Sequence, residues 1–219
     1  MAELVLPFVV RIERSTPPTR TDALEAAARA VLLVLSDPRP EWHEAIAAWD
    51  AQRIRKVVRR ARGAEWWRAL ALDGLTVTQR SAEVRVFPPI PLDAWPRDLA
   101  RLQVGGTDLI DPTPPPPVSD VPLVLLSPHY EMTAGKAMAQ AAHAAQLAWR
   151  ASSDASRAAW ESASFPLAVR TALRRSGREL CRAGRRLSVM PASPRSSPEL
   201  RRHWCCWHLG LHADPSRLW

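Results

Sequence analysis

Lysine is almost missing from this chain: Lys56 and Lys136 are the only two, although lysine and arginine together number 30. Against 22 acidic residues this leaves a net charge of +8, carried by arginine. A basic balance of that size favours polyanionic partners, nucleic acid before anionic membrane. Arginine in place of lysine, with abundant alanine and proline, is also the bias of a GC-rich gene, so about half of the basic excess is put down to composition. Cysteine is scarce too, and its three copies all fall late in the chain, which excludes a disulfide framework. No apolar run approaches the roughly 20 residues of a membrane span. The opening "MAELVLPFVVRIE" lacks a basic start and a small-residue cleavage site, so no signal peptide is expected and a cytoplasmic protein is the simplest reading. What is present is 219 residues with 47% hydrophobic content, enough for a real core.

Residues 4–13 form a β-rich apolar run, read as a buried strand. Thr21 or Asp22 then caps a helix over "ALEAAARAVLLVL", stopped by "SDPRP". A second helix starts near Glu41. Trp42, Ile46 and Trp49 fall on one face, and the pattern resumes with Ile54, Val57, Val58 and Ala61, leaving Arg53, Lys56, Arg59, Arg60 and Arg62 on the other side. "AEWWRALAL" extends or restarts that helix; "LTVTQ" and "AEVRVF" read as two short strands, and residues 98–104 as a helical turn or two. Trp42, Trp49, Trp66 and Trp67 are expected as core anchors rather than base-stacking platforms.

The segment 111–122, "DPTPPPPVSDVP", has the composition of a semi-rigid spacer and divides the chain. The expected organisation is therefore an α/β region over 1–110, a proline-rich linker over 111–122, a second α/β segment over 123–172, and an irregular or disordered tail over 173–219. The fold class expected is α/β, a mixed β-sheet flanked by helices. In the second segment 123–126 reads as a strand, 133–150 as a helix, "ASSDASRAAWESAS" as a polar stretch and "FPLAVRTA" as another strand.

The helix over 133–150 carries the chemistry. At about 100° per residue, Gln140 and His143 lie either side of Lys136, within a strip about 60° wide. Alanines surround them, which allows another element to approach closely. With Thr133 as N-cap, Gly135 and Lys136 stand in the first turn, where free amides attract anions and the dipole disfavours a cation by roughly 0.3–1 kcal/mol. A lysine placed there works against helix stability but suits a site that receives negative charge. Spacing alone does not separate this from a solvated lysine and a packed histidine.

The whole string "PLVLL", a polar turn and "MTAGKAMAQAAHA" resembles the opening of the type 2 peptidyl-tRNA hydrolase family, the bacterial-archaeal-eukaryotic type. Gly135, Lys136, Ala139, Gln140, His143 and Ala144 match the family pattern G-K-x-x-A-Q-x-x-H-A in register. The likeness covers about 121–171. It implies a mixed sheet flanked by helices, and hydrolysis of the ester joining a peptide or N-blocked amino acid to tRNA, with no metal or cofactor. It implies Lys136 as catalytic or phosphate-binding, and Gln140 and His143 as residues lining or supporting the site. A homodimer is the assembly it suggests, with peptidyl-tRNA as partner; a tandem pair of halves within the chain, an intramolecular pseudo-dimer, could stand in for it, and no membrane partner is expected.

The sequence departs from the family after Lys136, where no D-A-G-x-T motif follows. The loss of pattern past "FPLAVRTA" is what a shifted reading frame in a GC-rich gene would produce. In the tail His203, Cys205, Cys206, His208 and His212 crowd together, but adjacent cysteines rarely share one tetrahedral ion and no C-x2-C pair exists, so no metal is expected. A shift of 114 positions sets 21–30 against 135–144 without gaps, as chance matching of alanine-rich helices or as a degenerate internal copy. Arg53, Lys56, Arg59 and Arg60, on the expected helix face over 53–62, are the candidate surface for tRNA phosphate.

Overall fold

In the computed structural model, residues 2–116, 121–172 and 188–190 are described. The first strand, β1 (Leu4–Arg11), is apolar along both faces because it is central. Parallel β2 (Arg55–Ala61) lies on one side and antiparallel β4 (Ala82–Val86) on the other, with β3 (Leu75–Gln79) outside β4 and the short β5 (Ile90–Pro91) paired to the start of β1. Alternation splits β1 between two cores. Leu6, Phe8 and Val10 join the main core under α1 (Arg20–Leu35); Val9 joins Trp66, Ala69, Leu99 and Leu102 of α3 (Ala64–Leu70) and the turn containing α4 (Arg97–Ala100).

Helix α1 is buried nearly all round because it lies between this sheet and α5 (Ala134–Ala151). That position accounts for the alanines of both helices: small side chains let the two axes come close. A second sheet of three parallel strands runs β7 (Ala168–Thr171), β6 (Leu123–Leu126), β8 (Ser188–Met190). Core residues from both sides of the proline-rich segment, among them Phe8, Val31, Met138 and Phe165, belong to one cluster. The change of composition at 111–122 is therefore not a gap in the core.

The two halves repeat one another in topology. The first runs β1, α1, α2 (Pro40–Asp50), β2, with β1 and β2 parallel; the second runs β6, α5, α6 (Asp154–Ser162), β7, with β6 and β7 parallel. The N-cap positions of α1 and α5 are Thr19 and Thr133, and 133 − 19 is again 114.

Several expectations need correction. Residues 55–61 are a strand, not a helix: the β-branched pair Val57 and Val58 suits the pleat, and Ile54 at φ +47° breaks the helical path before it. Its arginines and lysine blunt a sheet edge, since β2 is terminal in its sheet. The cap of α1 is Thr19, whose hydroxyl accepts the Asp22 amide, rather than Thr21 or Asp22. The polar stretch after 151 contains α6, capped by Ser153 and anchored by Trp160, whose ring meets Trp149 and Phe165. Trp42, Trp49 and Trp66 are buried, whereas Trp67 is 63% exposed. In the tail Ser188–Met190 pairs with β6 as a strand; the rest of 173–219, including the His203–His212 cluster, lies outside the described residues.

Candidate active site

The chain leaves β6 at Leu126, turns through 127–132 and enters α5. Thr107, fully buried and far away in sequence, closes the start of that helix. Its carbonyl accepts the Ala134 amide and its Oγ1 the Gly135 amide, each at 3.0 Å. The Thr133 hydroxyl makes no cap bond. The expectation of free amides awaiting an anion is thereby corrected: two of the first-turn donors are satisfied from within the protein. Gly135 is required by this contact, since a Cβ there would stand 2.9 Å from Thr107 Oγ1.

Lys136 follows and is exposed. Gln140 and His143, further along the same strip, are half-buried. The seven steps from Lys136 to His143 span about 10 Å of helix axis, so the two do not serve one reacting atom without side-chain reach across that gap. His143 runs into a positively charged, enclosed region. Burial first, then the charges of Lys56 and Arg150, push its pKa down to about 3, so the imidazole is neutral across the physiological range.

Between His143 and the first half lies a polar network that crosses the chain. Lys56 Nζ donates to Gln146 Oε1 at 2.6 Å and to the Ile54 carbonyl at 3.2 Å, and stands 4.8 Å from the centre of the Trp49 ring. Gln146, which has no exposed surface, passes the link on by donating to Asp50 Oδ1. Asp50 is in turn paired with Arg150 at 2.6 Å. Burial lowers the Lys56 pKa well below the usual lysine value; Arg150 adds to the shift and Asp50 opposes it.

The four residues expected to bind RNA therefore share no helix face. Alternation along β2 turns Lys56 and Arg60 towards the α5 side and Arg59 away from it. Lys56 is committed to Gln146. Arg59 donates to the Leu102 and Ala100 carbonyls at 2.5 and 3.1 Å and lies over Trp95. Arg60 donates to the Gly105 carbonyl at 2.9 Å and to Gln103, bracing the turn that delivers Thr107 to α5. Arg53 alone of the four is exposed.

Beside the start of α5 a cleft of about 380 Å³ opens at the carboxyl ends of β6 and β7, the end at which parallel α/β sheets receive ligands. Leu126, Ser127, Tyr130, Glu131, Met132 and Thr171 line it, together with Pro128 and Arg20 from the first half. Among the described residues no three His, Cys, Asp or Glu side chains gather as metal ligands. No described helix is long and apolar enough to cross a membrane.

Thr107, Arg20, Gln146 and Asp50 were not singled out from the sequence. The one available signal was Gln146, a polar residue on the inner side of an otherwise alanine-rich helix. No family model matches this sequence, and neither a curated protein nor a solved structure matches it.

Proposed function

We propose that this chain hydrolyses the ester between a peptide, or an N-blocked amino acid, and tRNA, using Lys136. The observation that carries the reading is the position of Lys136: exposed, in the first turn of α5, four positions past Met132, which lines the cleft at the carboxyl ends of β6 and β7, although Lys136 itself is not among the lining residues. A lysine in a first turn costs helix stability unless negative charge meets it there. In ester hydrolysis that charge is the carbonyl oxygen as water adds, before the bond to the ribose oxygen breaks and the tRNA leaves with its hydroxyl restored. An ammonium group brought to such an oxyanion stabilises it. Gln140 stands about 6 Å further along the axis, where its amide can orient water or the ribose. Neutral His143 supports the helix against β2 rather than acting as a charged acid.

Release of an N-acetyl-aminoacyl group from tRNA by the purified chain tests this. Lys136→Ala is expected to lower kcat by about 10²- to 10³-fold. Undiminished release by the variant would remove the site assignment.

One observation favours a second reading, a non-catalytic tRNA- or RNA-binding homologue: no D-A-G-x-T motif follows Lys136. Its signature is salt-sensitive tRNA binding with no release of the acyl group.

A further inference from the structure

We infer that Arg20, a residue of the N-terminal half, serves the cleft of the C-terminal half by binding a phosphate of the single-stranded RNA end that enters it. The inference rests on the reading of the substrate as a tRNA ester.

Arg20 is held at both ends. Its amide donates to the Ile110 carbonyl and its Nη1 to the Met132 carbonyl, each at 3.1 Å. The second bond crosses from the first helix of one half to the lead-in of α5 in the other. A guanidinium carries five N–H donors in a rigid fork, and among the described residues Met132 takes the one bond this side chain makes. No carboxylate of the described residues forms a salt bridge with it; Asp111, the acid whose charge it feels, gives both oxygens to Thr21. A fixed guanidinium with spare donors at a cleft edge is suited to a phosphate.

The other walls fit the rest of a nucleotide. Leu126, Pro128 and Met132 offer apolar surface to a base, while Ser127, Tyr130 and Thr171 offer hydroxyls. Glu131 also lines the cleft; a carboxylate repels phosphate but accepts from ribose hydroxyls, which sets the polarity of the bound end. The volume of about 380 Å³ lies within the range of small-ligand sites.

The repeat makes the arrangement one-sided. At the 114-residue shift Arg20 corresponds to Ala134, so no arginine stands at the equivalent position of the second half. Asp22, the counterpart of Lys136, is covered by its own hairpin, where Arg80 Nε and the Ser81 hydroxyl donate to it at 2.8 and 2.6 Å. The first half thus lends a cation to the cleft of the second with no arginine at the equivalent position to match it.

The test is fluorescence anisotropy with a 5′-labelled RNA hairpin ending in unpaired CCA-3′, against the same hairpin with a blunt end, between about 50 and 200 mM salt. Arg20→Met is expected to weaken binding of the unpaired end about tenfold and to reduce the log-log salt slope by about 0.7. Arg20→Lys, which keeps the charge but not the fork, is expected to keep the slope and weaken affinity severalfold. Blunt-hairpin binding is expected to stay the same in both variants. Circular dichroism checks that each variant folds; if Arg20→Met does not, Arg20→Lys decides alone, and unchanged affinity overturns the inference. Equal losses on both hairpins, an unchanged slope in Arg20→Met, or no RNA binding by the parent protein overturn it too. Arg20-dependent binding with no acyl release sinks the hydrolase reading alone. Acyl release with a KM indifferent to Arg20 sinks this inference alone.

Discussion

Thr107 Oγ1 accepts the amide of Gly135 at 3.0 Å, and a Cβ added at Gly135 would meet that same oxygen at 2.9 Å. Two effects therefore compete in Gly135→Ala. Helix propensity gains up to about 1 kcal/mol. Overpacking against a buried, short side chain costs about 1–3 kcal/mol. The expected outcome is net destabilisation by about 1 kcal/mol, seen as a fall in Tm of about 3 °C. Thr107→Val, which keeps the shape and loses the acceptor, should also cost about 1 kcal/mol. A more stable Gly135→Ala protein would show that the two elements are not in tight contact.

The link from Lys56 through Gln146 to Asp50 joins the halves. Gln146→Leu takes from Lys56 Nζ one of its two acceptors and from Asp50 one donor, with an expected loss of about 2 kcal/mol in denaturant unfolding. Lys56→Met and Gln146→Leu together should cost less than the sum of the two, with a coupling energy of about 1 kcal/mol or more. Strict additivity would mean that the two side chains do not interact.

His143 titrates near 3 in the folded chain and near 6.5 when unfolded, because burial and the charges of Lys56 and Arg150 oppose its protonation. Between those values the unfolded state binds the extra proton. Stability from this group is therefore whole above the unfolded pKa and falls as pH drops through the window, by at most about 1.4 kcal/mol per pH unit. Comparing wild type with His143→Gln from pH 7 to 4.5 isolates it from the carboxylates. The variant's profile should be flatter; parallel profiles would place the histidine in ordinary solvent.

Glu25, 1% exposed, accepts from Arg80 at 2.5 Å, Arg170 at 2.8 Å and the Val169 amide at 3.3 Å. It ties the β3–β4 turn to β7. Glu25→Ala leaves Arg170 without its acid and Arg80 with Asp22 alone, and should cost about 3 kcal/mol. Hydrogen exchange at Val169 should quicken ahead of that in β1. Equal protection at Val169 in both proteins would show that β7 is held by other contacts.

How far the fold could be read in advance differs from element to element. Runs with one strong period, such as the alternating 82–86 and the long apolar run of β1, leave little choice of structure. "RIRKVVRRAR" fits a helix face and an edge strand equally, and only the parallel register with β1 chooses between them. Helix α6 escaped notice because a single buried tryptophan carries its apolar face.

For the site, local order placed Thr133, Gly135, Lys136, Gln140 and His143 on one helix, since spacing along a helix is a property of the chain. It could not say which ends were capped or which charges were spent. Those depend on partners brought from 28 residues away in Thr107 and 112 in Arg20, and such contacts appear only when two sheets close on a shared core. The chain's own pattern determined where Lys136 sits on α5; packing alone decided that it faces solvent while Lys56, the other lysine, is drawn inside.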